Sequence, residues 1–402
     1  MNSDVNNSTQ TYKFRRNDSQ NCTLFMNELY NSSLFELLGV STSERPFVLS
    51  LWIKLFWILL FSVMLVIAVI GNLTVIWIIM CHKRMRTVTN FFLLNLTIAD
   101  LMMAVFNAIF NFVFMLQSHW PFGQMYCSIN NFVANLTVAC SVFTIAATSV
   151  DRYLAIVHPL KPHLSKRTIA SIVSLIWIFA SFLSLPNLIY SKAITYPYAG
   201  REERTVCFLL WPDGPPAFSS LDYIYNIMFL ILTYALPMIL MAIMYTLIGR
   251  VLWGSQGIGE ETSIQREVIR SKQKIVKMLI VVVIIFAICW LPYHIYFVYT
   301  HHVPDVVNRA YIQHVYLAFY WLAMSNSMYN PLIYVWMNKR FRNYFKRVLL
   351  CKHQNRVELQ LTTKQLTECN NAPFLRKNHH SIQESIALQN VHQKNLSVKS
   401  CA

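Results

Sequence analysis

The chain has 402 residues, of which 55% are hydrophobic and only 13% are charged, and its formal net charge is +16. Soluble globular domains carry about 25% charged residues, so this composition argues against an ordinary soluble protein and predicts that most of the chain lies in lipid. Excess positive charge in a membrane protein marks loops that face the cytoplasm, rather than a surface that binds nucleic acid. The nine cysteines are spread singly, without CxxC pairs or His/Cys clusters, and so do not indicate a metal site.

Residues 1–50 form a polar N-terminal segment without the basic and apolar regions of a cleavable signal peptide. We therefore expect the first hydrophobic span to direct membrane insertion. Five Asn-X-Ser/Thr sequons predict that this segment is extracellular and glycosylated, at Asn6, Asn7, Asn17, Asn21 and Asn31. The same motif at Asn72, Asn95 and Asn135 falls inside apolar spans, where no glycan fits.

About 20 apolar residues are needed to cross a bilayer as a helix, and the chain has seven such stretches. They cover residues 56–80, 91–116, 128–156, 169–189, 223–248, 275–299 and 315–336. Lysine and arginine are concentrated in the connections after the first, third and fifth spans, which the positive-inside rule assigns to the cytoplasm. The sequence thus predicts an all-α membrane protein, with a seven-transmembrane helix bundle (residues 51–337), an extracellular N-terminus and a cytoplasmic C-terminus.

A short amphipathic helix that lies in the membrane interface is predicted over residues 338–351. Its apolar face would consist of Phe341, Phe345, Val348 and Leu349, with basic residues opposite. Cys351 lies where a palmitate would reach the bilayer, and the alternative is an unmodified thiol. Residues 352–402 are rich in Ser, Thr, Asn and Gln, which predicts a disordered cytoplasmic tail with candidate phosphorylation sites.

Asp100 is the one acidic residue deep within any predicted span. A charge near the bilayer centre costs about 2.5 to 3.5 kcal/mol on insertion scales, so an ionisable residue there is expected to be functional. The alternative is a structural role, in which Asp100 is protonated or hydrogen-bonded to hold helices together. Polar side chains of other spans that are available as its partners are Ser141, Trp290, Asn326 and Asn330.

Asp151, Arg152 and Tyr153 stand at the predicted cytoplasmic end of the third span. A neighbouring carboxylate stabilises a buried guanidinium, so this pair can act as a latch. The tripeptide is informative because four further landmarks fall in the later spans: Trp177, Pro237, the run CWLP at 289–292 and the run NPLIY at 330–334. Prolines inside helices leave carbonyls unpaired and kink the helix, which suits segments that swing.

Cys127 and Cys207 are the two cysteines beside the bundle on its predicted extracellular side, at the start of the third span and in the loop after the fourth. We predict that they form a disulfide. Such a bond would hold the loop across the mouth of the bundle and contribute about 2 to 4 kcal/mol.

Together these landmarks resemble the rhodopsin-like receptors, and within them the tachykinin receptors, over roughly residues 51–352. Four runs carry the resemblance: KRMRTVTN (83–90), FNAIFNF (106–112), FAICWLPYH (286–294) and WLAMSNSMYNPLIY (321–334). The phrases WPDGP (211–215) and LWGS (252–255) resemble the arthropod branch, whose members answer tachykinin-related peptides or natalisins.

The resemblance implies a G-protein-coupled receptor of the plasma membrane for a neuropeptide with an amidated C-terminus. The positions implied for peptide contact are Asn107, Asn111, Asn131, Tyr293, His294, Phe297 and Tyr316, and two departures from the vertebrate pattern, Asn187 and Asn226, belong to the same set. Amide side chains in a water-filled cavity would hydrogen-bond a peptide backbone and its terminal amide. The alternative for His294 is a core histidine whose hydrogen bonds are satisfied.

The resemblance also implies a sodium pocket, formed by Asp100, Ser141, Asn326 and Asn330, and no other cofactor. The implied activation switch comprises Asp151, Arg152, Tyr153, Tyr245, Phe286, Trp290, Pro292, Pro331 and Tyr334. Peptide binding would favour a state in which the sixth helix has moved outward around Pro292. The implied partners are the peptide, a heterotrimeric G protein linked to phospholipase C and calcium, arrestin and receptor kinases at the tail, and membrane lipid.

Rival classes of protein lack residues that they require. An opsin needs a lysine in the seventh span, and an amine receptor is expected to have an acid where Ala134 stands. An intramembrane protease needs two catalytic acids or a Ser/His pair, so the chain is not predicted to be an enzyme. A transporter is the distant runner-up, but the two halves show no inverted repeat. A receptor for a different amidated neuropeptide is the alternative within the class.

Overall fold

The computed structural model describes residues 49–160, 164–197, 203–214, 219–254, 263–303, 306 and 311–349. Over these residues the chain folds into seven long helices, a short eighth helix and a two-stranded β-hairpin. Several predictions fall outside the described residues: the glycosylation sites Asn6, Asn7, Asn17, Asn21 and Asn31, the palmitoylation site Cys351, and the tail 352–402.

Each of the seven predicted spans lies within one long helix. These helices are α1 (Leu51–Cys81), α2 (Val88–Gln117), α3 (Gly123–Val157), α4 (Lys166–Tyr190), α5 (Ser220–Gly254), α6 (Ser263–His302) and α7 (Ile312–Met337). Every helix extends beyond its predicted span at both ends. An apolar run marks only the part of a helix suited to lipid, whereas the backbone hydrogen bonds continue into polar flanks.

Among the described helices, α1 to α6 are long and apolar enough to cross a membrane, by length and composition. α7 has the length, but polar residues lower its hydropathy, and they are buried against other helices: Ser325, Asn326, Ser327 and Asn330. The apolar stretch of α3 is 72% buried, against 22% in α1 and α5, so α3 lies at the centre of the bundle.

Two helices are interrupted by π-helical turns, at Ala104–Ala108 in α2 and Ile231–Ala235 in α5. A π turn contains more residues than an α turn, so it changes the direction in which the following side chains point. Asn111 follows the first of these turns. The π turn in α2 therefore helps to determine where this predicted contact residue faces.

α1 and α7 pack closely around a glycine. A Cβ atom on Gly71 would lie 2.8 Å from the Cβ of Pro331, which is inside α7, so only glycine allows this approach. The neighbouring Asn72 is fully buried and donates its amide to the carbonyls of Ala68 (2.8 Å) and Ser327 (2.9 Å). Asn72, although it lies in a sequon, is therefore a contact between α1 and α7.

A hairpin of strands β1 (Ser191–Pro197) and β2 (Glu203–Leu209) connects α4 and α5, and its strands pair antiparallel. Cys207 in β2 is disulfide-bonded to Cys127 in the first turns of α3, which confirms the predicted bridge. The end of the bundle that carries this hairpin is the hairpin end. The opposite end is the Arg152 end.

Hydrogen bonds hold the hairpin to the bundle beside the disulfide. The side chain of Gln124 in α3 donates to the carbonyl of Ser191 (2.8 Å) and accepts from the N–H of Ala193 (2.7 Å). On the other strand, the carbonyl of Thr205 accepts from the N–H of Trp120 (2.8 Å). Both strands are thus fixed to the chain around the start of α3.

A short helix, α8 (Lys339–Leu349), follows α7. Phe341 and Phe345 are buried, and the ring of Phe341 lies 5.8 Å from that of Tyr334 in α7. Tyr344 packs against His82, with 4.2 Å between ring centroids. The first part of α8 is therefore packed against the Arg152 end of the bundle.

Candidate functional site

Side-chain amides from α2 and α3 form a hydrogen-bonded network at the hairpin end. Asn107 donates its Nδ2 to the backbone oxygen (3.1 Å) and to Oδ1 (3.2 Å) of Asn130. The Oδ1 of Asn107 accepts from the hydroxyl of Tyr320 in α7 (3.0 Å). The Nδ2 of Asn130 donates to Oδ1 of Asn111 (3.3 Å) and of Asn131 (3.4 Å). Three predicted contact residues thus meet through Asn130 and Tyr320, which the sequence patterns did not mark.

The members of this network differ in their access to a ligand. Asn107 and Asn130 are 1% and 0% exposed, whereas Asn111 and Asn131 are partly exposed. Asn131 also donates its Nδ2 to the hydroxyl of Ser191 in the hairpin (2.9 Å). A ligand at this end would therefore reach Asn111 and Asn131 first, with the other two asparagines behind them.

Aromatic side chains of α6 and α7 lie beside the amide network. The ring of Tyr293 is 4.9 Å from that of Phe297 and 6.4 Å from that of Tyr316, and the two tyrosine hydroxyls are hydrogen-bonded. Tyr316 in turn lies 6.2 Å from Tyr320, which bonds the network. The structure therefore brings Tyr293, Phe297 and Tyr316 into one cluster that continues into the amides.

His294 lies one turn of α6 from Trp290, at 6.2 Å between ring centroids, and 5.3 Å from the ring of Tyr234. Among the described residues, no side chain or backbone group hydrogen-bonds its ring nitrogens. The alternative of a core histidine with satisfied hydrogen bonds therefore gains no support. Trp290 also contacts Phe286 (6.1 Å), and Pro292 lies inside the same helix.

The two departures from the vertebrate pattern have partners outside the amide network. The Nδ2 of Asn187 donates to the hydroxyl of Tyr225, and Asn187 is 2% exposed. The Nδ2 of Asn226 donates to the backbone oxygen (2.9 Å) and to Oδ2 (3.0 Å) of Asp222. Of the two side chains, only Asn226 is partly exposed.

Residues 211–214, the described part of the run WPDGP, cap the start of α5 and contact Asp222 there. The indole of Trp211 donates to Oδ1 of Asp222 (2.7 Å). Asp213 accepts from the hydroxyl of Ser219 (2.5 Å) and from the N–H of Leu221 (2.9 Å). Sequence reasoning singled out the run but missed Asp222, because nothing in the pattern indicates that the loop folds back onto the helix.

Asp100 is 2% exposed and accepts from the Nδ2 of Asn330 (2.7 Å), and Ser141 also hydrogen-bonds it. The Oδ1 of Asn326 is buried without a hydrogen-bond partner among the described residues. A carboxylate with a hydroxyl and amide oxygens is the type of ligand set that a hard cation prefers. The residues present therefore fit a sodium ion, as the resemblance implied.

At the Arg152 end, the guanidinium of Arg152 is ion-paired with Asp151, and its Nε donates to Oδ2 of that carboxylate (3.0 Å). Asp151 is 5% exposed, so the pair is largely removed from water. The ring of Tyr153 packs against His158 instead, at 5.6 Å. The structure thus contains the Asp151–Arg152 ion pair on which the predicted latch depends.

Two tyrosines of the predicted switch have buried hydroxyls without partners among the described residues, Tyr245 and Tyr334. A buried, unpaired hydroxyl is costly, so both groups are suited to gain partners in another conformation. A cavity of about 240 Å³ lies at the Arg152 end, and it is lined by Arg152, Ala155, Ile156, Pro159, Lys272, Ile275 and Val276.

Residues 71–334 match the family described as 7 transmembrane receptor (rhodopsin family). The chain is 56% identical over 307 residues to the tachykinin-like peptides receptor 86C of Drosophila melanogaster, covering 76% of this chain and 61% of that protein. It is 50% identical over 310 residues to the tachykinin-like peptides receptor 99D of the same species, covering 77% and 60%.

A vertebrate relative, the substance-P receptor of Canis lupus familiaris, is 41% identical over 322 residues, covering 80% of this chain and 77% of that protein. The matched region spans about three-fifths of the length of the two Drosophila relatives. The family match over residues 71–334 runs from within α1 to within α7 and so includes Asn107, Asp100 and Arg152. The chain therefore belongs to the rhodopsin family of seven-transmembrane receptors, and within that family to the tachykinin receptors.

Proposed function

We propose that the chain is a G-protein-coupled receptor for a tachykinin-like neuropeptide with an amidated C-terminus. The observation that carries the proposal is its 56% identity to a tachykinin-like peptides receptor, over 307 residues or 76% of this chain. The hairpin end supports it chemically, because it combines amides, which pair with a peptide backbone, with an aromatic cluster suited to apolar side chains.

The peptide binds at the hairpin end. Its direct contacts are the predicted residues that are partly exposed, namely Asn111, Asn131, Asn226, Tyr293, His294, Phe297 and Tyr316. Asn107 and Asn187 are buried, and they support these side chains from behind. The amide oxygen and nitrogen of the peptide terminus both find partners in such a site, whereas a carboxylate terminus lacks the donor.

The receptor is a multi-pass protein of the plasma membrane, with its N-terminus outside and its C-terminus in the cytoplasm. The basic connections after α1, α3 and α5 support this orientation. The hairpin end is then extracellular, on the same side as the glycans on residues 1–50. α8 lies in the cytoplasmic interface, where a palmitate on Cys351 anchors it, and residues 352–402 bind receptor kinases and arrestin.

Activation is a population shift, in which the peptide binds more tightly to a state whose α6 has moved outward around Pro292. Arg152 then releases Asp151, and the hydroxyls of Tyr245 and Tyr334 gain partners in the enlarged cavity. A heterotrimeric G protein inserts there and contacts Arg152 and the exposed basic residues near it on α6, Arg270 and Lys274. Phospholipase C and calcium release follow.

A sodium ion would be held by Asp100, Ser141, Asn326 and Asn330. It would supply a positive charge that balances the buried carboxylate of Asp100. The side chains belong to α2, α3 and α7, so the ion would favour the packing in which those helices are close together.

Peptide binding tests the proposal. Membranes from cells that express the chain are titrated with a fluorescent tachykinin-like peptide that ends in a carboxamide, and with the same peptide ending in a carboxylate. We expect saturable binding of the amide form and at least about tenfold weaker binding of the acid, because at least one hydrogen bond is lost. If neither form binds, the ligand class is wrong, and other amidated neuropeptides become the candidates.

A further inference from the structure

We infer that Asn130 is a positioning residue that fixes the donor and acceptor pattern which Asn111 and Asn131 present to the peptide terminus. This inference rests on the proposed function, since it concerns the selectivity of the same site. Asn130 is fully buried, so it does not itself touch the ligand.

The hydrogen bonds of Asn130 determine which way its neighbours face. Its Nδ2 donates to Oδ1 of Asn111 (3.3 Å) and to Oδ1 of Asn131 (3.4 Å). An asparagine whose oxygen is held on one side must turn its NH2 group to the other. Asn111 therefore turns its NH2 group away from Asn130. That group hydrogen-bonds the hydroxyl of Tyr320, and its second N–H is the donor that we assign to the ligand.

Asn130 is itself held in place from behind. Its Oδ1 and its backbone oxygen both accept from the Nδ2 of Asn107, whose Oδ1 accepts from Tyr320. Asn107 has thus used both N–H donors and one acceptor site within the protein. Since a buried polar group that loses its partner is destabilised by about 1 to 3 kcal/mol, the arrangement resists rotation of Asn130.

The network also reaches the hairpin. The Nδ2 of Asn131 donates to the hydroxyl of Ser191 (2.9 Å), which donates to the carbonyl of Asn187 (2.6 Å). With its donors engaged there, Asn131 has its oxygen left for a ligand. That oxygen already accepts from Asn130, and its second lone pair is the acceptor that we assign to the ligand. The site thus combines a donor on Asn111 with an acceptor on Asn131, which matches a carboxamide. A carboxylate has no N–H to give to the acceptor.

The Asn130→Ala receptor tests this inference, through the ratio of its affinities for the amide and acid forms of one tachykinin-like peptide. Without Asn130, the Oδ1 of Asn111 loses the donor that orients it, so we expect the preference for the amide form to fall about tenfold. In the Asn111→Ala background, Asn130→Ala should change the ratio little further, because Ser191 still holds Asn131 and Asn130 acts on the ratio through Asn111.

Asn95→Ala is the matched control. Asn95 is another buried asparagine of the bundle, bonded to Thr144 (2.7 Å) and Trp177 (2.8 Å), twelve residues before Asn107 on α2 and so about 18 Å away. We expect lower surface expression of this variant, and no change in the ratio of its affinities for the amide and acid forms. If Asn130→Ala does not reach the surface, Asn130→Ser, which keeps a hydroxyl in the buried position, is measured instead.

Four outcomes are distinguishable. A reduced ratio in the Asn130 variant, absent in Asn95→Ala, supports the inference. An unchanged ratio, with both affinities lowered equally, gives Asn130 a purely structural role and overturns the inference. Additive effects of Asn111→Ala and Asn130→Ala also overturn it. If the wild-type receptor binds neither form of the peptide, the proposed function fails, and the inference fails with it.

Discussion

Arg152 is the residue on which coupling to the G protein depends in this account. In the structure its guanidinium is held by Asp151 beside a cavity of about 240 Å³. We predict that Arg152→Ala abolishes the calcium response and leaves peptide affinity unchanged, because the hairpin end is built from other residues. Radioligand binding and calcium release in the same cells measure the two effects separately.

Arg167→Ala provides the control for this substitution. Arg167 is exposed near the start of α4, and its replacement by alanine removes an equal charge from the Arg152 end. We expect it to signal normally. Full signalling by Arg152→Ala would contradict the proposed role of the Asp151–Arg152 pair in coupling.

At the candidate peptide site, the sequence predicted some residues of the hydrogen-bonded network and not others. Asn107, Asn111 and Asn131 do come together, because helical spacing puts them at the same level of α2 and α3. Asn130 was not predicted, since a buried asparagine in an apolar span looks like any packing residue until its hydrogen bonds are known. Asn226 was predicted as a contact, and its bond to Asp222 joins two residues of α5 that are four positions apart, which helical spacing brings together.

Among the elements, the hairpin β1–β2 depends most on a single covalent bond. The Cys127–Cys207 bridge closes a loop of 80 residues. We predict that Cys207→Ser destabilises the receptor by about 2 to 4 kcal/mol and weakens peptide binding, because the loop gains conformational freedom when unfolded and when folded. Surface expression and peptide affinity measure the change.

Cys81→Ser controls for the loss of a thiol, because Cys81 is exposed and unbonded. It should behave as wild type. Unchanged expression and affinity in Cys207→Ser would mean that the hydrogen bonds to the hairpin hold it without the disulfide.

The contact between α1 and α7 yields a prediction on stability. In Gly71→Ala the new Cβ would lie 2.8 Å from that of Pro331. Both Cβ atoms are bonded directly to helix backbone, so neither moves aside without moving its helix. We expect a loss of about 1 to 3 kcal/mol, as for other overpacked sites. Thermal unfolding of the detergent-solubilised receptor measures it as a lower Tm.

Gly249→Ala is the matched comparison, since its Cβ would meet only the Trp253 ring at 4.0 Å. Alanine is the better helix former by about 1 kcal/mol, so this variant should keep or raise the Tm. A Tm for Gly71→Ala equal to that of Gly249→Ala would show that the two helices separate without cost.

Hydropathy located all seven long helices, because each span needs a continuous apolar run whatever its neighbours are. It could not locate the π turns in α2 and α5 or the pairing of β1 with β2, which depend on contacts between segments. The polar residues of α7 also explain why that helix is less apolar than the other six. One of them, Asn330, donates to Asp100 in α2.

At the scale of the whole molecule, the chain belongs to a family of receptors, which favours a receptor over the enzyme and transporter alternatives. The structure has two polar sites at opposite ends of one bundle, the amides of the hairpin end and the ion pair of the Arg152 end. Asp100 and its partners lie on the helices that connect them. This arrangement suits a protein that relays a binding event from one side of a membrane to the other.

The proposed function is that an amidated tachykinin-like peptide activates this receptor through a G protein. Its most direct test is the release of intracellular calcium in cells that express the full chain, with surface expression verified, exposed separately to tachykinin-related and natalisin-type amidated peptides across a concentration series. We expect a saturable response to at least one of these classes, and no response in cells without the receptor. Silence towards both classes would contradict it.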